Sequence, residues 1–476
     1  MKVTTSMRFA ALSAAGLASL LLLSGCNSTN ATSSTSGTSP MLVTVSDAPL
    51  GNIFAAKITI SAVSVVGANG SPVSVLSQPE TVELSGLGSL REPIELTNLP
   101  FGTYNSVTVT VSSAQVTYLD STTSQPVTAN ATITSPTVTV ALNPALNFST
   151  QGEVDLHLAF SLSQSFSISG STVTFTPAIS TSAAQVDQEN SSQRNVRVTG
   201  TVIAISSSSI TVQSGDSGMQ FTFAINGTTQ FSNGVTASSI AQNSIVQVKG
   251  QTQSSGTLLA LSITPVSTES AMGQGQENSG AKGIVVTVSH GGSGNLTGFT
   301  MISQEDFGST MSNSMTLNVV VASTTAYGVT EDAQQVGLTA SMFNASEIFP
   351  GQAVIVGGSI DGSGNLDAAQ IILGGENVRG TLTNAPQASG SNLDFTLSLA
   401  VPSFLNTYEK LVTLNAVTGP NTDYSNGLTA STFPTLGANT ALQVHGYLLV
   451  DQGGNYLLTA SEIAQPDNPE PPENDN

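Results

Sequence analysis

The sequence predicts an all-β protein, an N-terminal β-sandwich followed by three small β-barrel-like modules of the OB or SH3 kind. Three observations lead there. The hydrophobic residues, 39% of the chain, alternate with Ser and Thr at period two rather than recurring at helical spacing. Gly, at 44 residues, and Pro, at 20, break the chain into short segments bounded by turns. From Val196 onward the chain repeats itself three times, which is the mark of stacked or serial modules.

The chain opens differently. Met1 to Arg8 carries Lys2 and Arg8 and no acid, and Phe9 to Leu23 is apolar, the layout of a secretory leader. The apolar run is short for a bilayer span, which takes about 20 residues. It ends in Leu23-Ser24-Gly25-Cys26, and Cys26 is the single cysteine, so no intrachain disulfide can form. This box resembles the bacterial lipoprotein signal. The resemblance implies that residues 1–25 are removed and that Cys26 becomes the N-terminus, carrying a thioether diacylglyceryl group and an amide-linked acyl chain. Each buried methylene contributes about 0.8 kcal/mol, and two or more chains hold firmly where one does not. Asn27, rather than Asp, follows the cysteine. By resemblance to lipoprotein sorting this favours the outer membrane of the bacterial cell envelope.

Residues 26–40 (CNSTNATSSTSGTSP) lack packing side chains and read as a flexible tether. Residues 41–180 read as the sandwich. Leu42-Val43-Thr44-Val45, Ala56 to Val65, Val82-Glu83-Leu84, Ser106 to Val111, Thr137 to Leu142, Glu153 to Leu158 and Thr172 to Phe175 are successive strands. Leu99-Pro100-Phe101-Gly102-Thr103-Tyr104 is a turn that launches one of them, and Ser46-Asp47-Ala48-Pro49 is a turn after the first. These two motifs, with Val154-Asp155-Leu156 ahead of Ser163-Gln164-Ser165, resemble the family known as domain of unknown function 4382, which brings no established activity. Asp47 and Asp155 stay open as a metal pair, with the turn-and-edge reading preferred.

Residues 181–195 are a polar linker, followed by barrel modules at 196–266, 281–375 and 376–465, with a second linker at 267–280. Each module opens on a strand bearing Gly: Val198-Thr199-Gly200, Ala281-Lys282-Gly283, Val378-Arg379-Gly380. Each has a middle motif: Thr229-Gln230-Phe231, Thr325-Ala326-Tyr327, Thr422-Asp423-Tyr424. Each has a late strand reaching Gly: Val248-Lys249-Gly250, Ile355-Val356-Gly357, Val444-His445-Gly446. Gly at a fixed place in a strand marks a bulge or tight bend, as small closed barrels require. The modules resemble the family known as domain of unknown function 5666, most clearly over Val196 to Val266, and that family also brings no chemistry. Residues 466–476 (PDNPEPPENDN) form a disordered acidic tail.

The formal net charge is −20, and loss of Lys2 and Arg8 with the leader takes it to −22, which disfavours phosphate backbones as partners. Trp is absent and aromatics are 5% of residues, so ring-stacking recognition is poorly provided for. Gly215-Asp216-Ser217-Gly218 lacks a general base in its context and reads as a hairpin turn. Asp361-Gly362-Ser363-Gly364-Asn365 has oxygen ligands at odd spacing but Leu366 at the sixth position, and Asp451 to Asn455 repeats it, so a turn is preferred to a calcium loop. His157, His290 and His445 are scattered, without zinc spacing. The reading is therefore no catalytic residues, no cofactor site, no metal site, and Cys26 as the one modified residue. The chain is expected to be a non-catalytic, lipid-anchored envelope protein, with the membrane as partner, no nucleic acid, and a protein or polymer partner left open. An envelope hydrolase working through paired carboxylates and a calcium-stabilised adhesin stand as the alternatives.

Overall fold

A computed structural model describes residues 37–47, 52–87, 91–120, 122–148, 152–185, 195–215, 218–232, 235–253, 255–267, 278–308, 316–401, 403–425, 427–451 and 453–465. Residues 37–465 lie within one compact unit. The all-β class holds, with a few short helices between strands.

The sandwich is two sheets sharing one core. In the first, Thr38–Asp47 pairs in parallel with Val154–Phe160 and antiparallel with Glu92–Pro100, and Ile179–Gln185 adds to the far side of Val154–Phe160. In the second, the long strands Ile53–Gly67 and Gly102–Leu119 pair along their length, flanked by Pro126–Asn130 and Thr137–Phe148 on Gly102–Leu119 and by short strands on Ile53–Gly67. Alternation places Met41, Val43 and Val45 of one sheet against Ile58, Ile60, Val107 and Val109 of the other. Tyr104 turns its hydroxyl back to the Pro100 carbonyl at 2.8 Å, pinning the corner between two successive strands. The tether expected up to residue 40 is shorter. Thr38 to Pro40 already pair with Pro100, Leu99 and Asn98, and Ser39 is fully buried. Likewise Thr181 to Gln185, expected to be linker, pair with Val154 to Leu158, because that strand otherwise presents an open edge.

The three later modules share one topology. In each, five strands close on themselves in the order first, second, third, fifth, fourth. The third and fifth strands run parallel, which is the OB arrangement rather than the SH3 one. The repeated middle motif is what closes the ring. Phe231 pairs with Ile263, Tyr327 with Ile371 and Tyr424 with Ile463. Two residues before each aromatic, a threonine clasps the seam. Thr229 Oγ1 accepts from Asn226 N at 3.1 Å and donates to Ala260 O at 2.8 Å. Thr325 accepts from Ala322 N at 3.0 Å and donates to Ala368 O at 2.8 Å. Thr422 accepts from Gly419 N at 2.7 Å and donates to Ala460 O at 2.7 Å. The hydroxyl satisfies two backbone groups where the third strand leaves the ladder. Thr325→Val keeps shape and removes both bonds, so denaturant titration should read a loss of about 1–3 kcal/mol.

The first-strand glycines are explained by the same closure. A Cβ on Gly200, Gly283 or Gly380 would stand 1.8, 2.0 or 2.4 Å from the carbonyl oxygen of Gln213, Ile302 or Ser398 on the second strand.

The modules are not independent beads. Leu42, on the outward face of the first sheet, is buried in the core of the first barrel with Val196 and Val248. Ile245 and Val266 of the first barrel pack with Phe307, Ile355 and Ile372 of the second. Phe54, Ala55 and Leu119 of the sandwich pack with Ile284, Ile302 and Ala353 of the second barrel and with Phe404 and Tyr408 of the third. Thr330 Oγ1 of the second barrel donates to the Tyr447 hydroxyl of the third at 2.9 Å.

Candidate functional site

Two polar networks stand out, and both arise where elements distant in sequence meet. The first lies on the outward face of the first sheet. Parallel register sets Thr44 beside His157 and Leu42 beside Asp155. Ser46 Oγ lies 3.0 Å from His157 Nε2, and Thr44 Oγ1 lies 3.2 Å from Nδ1 and 3.4 Å from Asp155 Oδ1. Asp155 Oδ2 in turn pairs with Arg91 Nη1 at 2.5 Å. A serine hydrogen-bonded to a histidine invites a nucleophile–base reading. The electrostatics oppose it. Burial, with the Arg91 charge adding to it, pushes the His157 imidazole down to about 3. A ring so reluctant to take a proton is a poor general base near neutrality. Asp47 faces the other way, accepting Leu162 N at 3.2 Å, so Asp47 and Asp155 lie on opposite faces of one sheet and cannot share a metal ion.

The second network is a keystone between sandwich and barrels. The Gly86 carbonyl accepts from Arg197 Nη2 of the first barrel at 2.7 Å and from Lys282 Nζ of the second at 3.0 Å. Glu83, fully buried, holds the loop from below: its Oε1 accepts Ala56 N at 2.8 Å and Ser85 N at 3.0 Å, and its Oε2 accepts Gly86 N at 2.9 Å. Burial raises the Glu83 carboxyl above its ordinary value and lowers the Lys282 ammonium below its own. Gln304 Nε2 reaches across to Phe54 O at 2.7 Å and Ser85 Oγ at 3.1 Å. Nothing in the sequence marked Lys282, Gln304 or Glu83, because each lies in an ordinary strand pattern.

Cations recur at seams. Arg91 N-terminal to its strand bridges to Val196, Arg197 N donates to Arg91 O at 2.9 Å, and Lys249 of the first barrel pairs with Asp332 of the second at 2.9 Å. Glu331, Asp423 and Glu462 gather near Lys249, their carboxyls raised chiefly by burial. Cations so placed join modules to one another.

The remaining sequence candidates resolve individually. Cys26, Asp216 and Ser217 lie outside the described residues; Ser209–Ser214 and Gln220–Ala224 on either side pair as a hairpin. Asp361 Oδ1 accepts Ser363 N at 2.7 Å and Asn365 N at 2.8 Å, and Oδ2 accepts Asn365 Nδ2 at 2.9 Å. Asp451 binds Gly453 N and Asn455 N in the same way. Both carboxylates serve their own turns. Asp361→Ala should lower the melting temperature by loosening the turn, and calcium should leave the melting temperature of both proteins unchanged. A calcium-dependent rise would restore the metal reading. Among the described residues, no group of three or more His, Cys, Asp or Glu is arranged to hold a metal ion. Tyr327 meets Phe343 edge-on at 6.0 Å and Tyr424 meets Phe433 at 5.6 Å, so the repeated aromatic is a core residue, not a stacking platform. An open depression of about 470 Å³ on the second sheet is lined by Lys57, Thr59, Thr81, Ser113, Gln115 and Asn130.

With this geometry in view, residues 38–177 match the family model described as Domain of unknown function (DUF4382), and residues 199–264 match Domain of unknown function (DUF5666). The two matches follow one another along the chain, DUF4382 first and DUF5666 second. The DUF4382 match spans the sandwich except for its last strand, Ile179–Gln185. The DUF5666 match spans the first barrel, whose strand order the second and third barrels repeat. No curated protein matches the chain. Among solved structures, a deletion mutant of the single-stranded DNA binding protein from Thermus aquaticus is 14% identical, over 41% of this chain and 97% of its own, with a TM-score of 0.17. Drosophila Unr CSD456 is 12% identical, over 57% of this chain and 98% of its own, with a TM-score of 0.14. At such scores neither likeness bears on function.

Proposed function

We propose that this chain is a lipid-anchored protein of the bacterial cell envelope whose four β-modules form one non-catalytic body with a binding or structural role. The observation that carries the anchor is Leu23-Ser24-Gly25-Cys26, placed directly after a basic segment and an apolar run. The reading of the modules as non-catalytic is supported by the low basicity of His157 and by the burial of Glu83, and of Glu92 and Glu305, whose charges act on Lys282, rather than their exposure in an open cleft. Paired carboxylates for glycoside hydrolysis stand about 5–10 Å apart with room for substrate between them. The body is continuous, since each module shares buried surface with its neighbours.

The anchor is tested in cells. Radiolabelled palmitate should enter the wild-type chain and not Cys26→Ser, and the variant should leave the membrane fraction. Label in the variant, or a variant still sedimenting with membranes, would overturn the anchor. Protease shaving of intact cells then reads which face of the membrane carries the modules.

A further inference from the structure

The keystone brings a hydroxyl, a carboxylate, a carboxamide and an ammonium together in a dry seam. Ser85 is 6% exposed, Glu83 0%, Gln304 4% and Lys282 3%. Ser85 Oγ donates to Glu83 Oε1 at 2.5 Å, with Phe54 O a second acceptor at 3.0 Å. Gln304 Nε2 is 3.1 Å from the same Oγ. A Cβ on Gly86 would stand 2.8 Å from Lys282 Nζ and 3.2 Å from Gln304 Oε1, so the ammonium and the amide oxygen face one small space. Ser85 Oγ thus has a base on one side and, on the other, the nitrogen of a carboxamide whose oxygen faces the same space as an ammonium, and acyl transfer uses a nucleophile, a base and an oxyanion partner of this kind.

We propose that Ser85 and Gln304 become joined by an ester between the sandwich and the second barrel. Glu83 takes the Ser85 proton as Oγ attacks Gln304 Cδ, forming the C–O bond. The developing charge on Oε1 is stabilised by Lys282. Glu83 returns the proton to Nε2, the Cδ–Nε2 bond breaks, and ammonia leaves. Hydroxyl plus primary amide gives ester plus ammonia, so no external reactant enters. Burial helps twice. It makes Glu83 a stronger base than an exposed carboxylate, and it keeps out the water that would hydrolyse the product. Held in contact, the two groups react at an effective concentration no free pair attains. The product would close a loop between residues 219 apart in sequence, tying the two modules together against unfolding.

The test uses the full-length protein recovered from the envelope, digested and read by mass spectrometry. The expected result is a peptide pair joining the Ser85 and Gln304 segments, lighter than its two parts by one ammonia and released by mild alkali or hydroxylamine. On denaturing gels the linked chain should run faster than Ser85→Ala. Ser85→Ala and Glu83→Gln should give the two peptides unlinked, while Ser85→Thr, which keeps the hydroxyl, should restore the link and show that the seam still folds. Separate peptides from the wild-type protein would overturn the proposal. So would an alkali-resistant link mapped to Lys282, which would make the amine the nucleophile instead.

Discussion

Replacing Phe54 by alanine should lower stability by about 3–5 kcal/mol and split one unfolding transition into two. Phe54 lies on a sandwich strand and is fully buried, yet its ring packs in the seam shared with two barrels rather than in the sandwich core. Its ring stacks on Phe404 of the third barrel, with centroids 4.0 Å apart and planes at 20°, and meets Tyr408 at 6.2 Å. Ile284, Ile302 and Ala353 of the second barrel complete the pocket. The variant loses the transfer energy of the ring, leaves a cavity between three modules, and removes an aromatic pair contributing about 0.5–1.5 kcal/mol more. The cavity lies at a seam, so the damage falls on coupling between modules more than on any one core. Differential scanning calorimetry measures both parts. A single sharp transition with a loss below about 1 kcal/mol would show that the seam contributes little.

Raising pH from 6.5 to 8 should destabilise the protein, and Glu376→Gln should remove much of that loss. Glu376 opens the first strand of the third barrel and is buried against the second, where Ala353 N donates to its Oε1 at 3.0 Å. Burial pushes its carboxyl up to about 8, the Ala353 bond holding it back only in part. Between the unfolded value of 4.5 and about 8, the folded chain keeps a proton that the unfolded chain has released. The unfolded state therefore binds fewer protons, and stability falls as pH rises through that window. The part between pH 6.5 and 8 amounts to roughly 2 kcal/mol. His157 and His445, both pushed down to about 3 by burial, act in the opposite sense below 6.5, where the unfolded chain takes up protons they refuse. That slope fades over about one pH unit above 6.5, as the unfolded imidazoles finish losing their protons, and it is common to wild type and variant. Lys282, lowered by burial, and the other raised carboxyls, Glu83 and Glu462 among them, are common to both proteins. The difference between wild type and Glu376→Gln thus isolates one group. Chemical denaturation at pH 6.5, 7 and 8 reads it, and equal slopes in the two proteins would place the ionised carboxylate in water instead.

How far the sequence revealed this molecule depends on the range of the interaction. Alternation in Thr38–Asp47 announces a strand, and Gly283 and Thr325 announce a barrel, because each signal is local or repeats at fixed spacing. The keystone was illegible for the opposite reason. Gly86 meets Arg197 and Lys282 only after three modules have docked, and no spacing along the chain encodes that meeting. The Ser46–His157 contact depends on parallel register between strands more than a hundred residues apart. The expected tether and linker were drawn too generously at residues 38–40 and 181–185, since Ser- and Thr-rich segments pair as readily as apolar ones when a neighbouring strand offers an open edge. The role of Glu376 was equally hidden, for a lone acid at a strand start gives no sign that a second barrel will cover it.

The placement of Phe54 also fixes an order of events. Synthesis runs from the N-terminus, so this ring is made early and its partner Phe404 very late. Until the last barrel arrives, the sandwich presents an oily ring to whatever surrounds it. A polypeptide terminated before residue 404 would leave that ring without its stacking partner, so the seam closes only once the third barrel has been made.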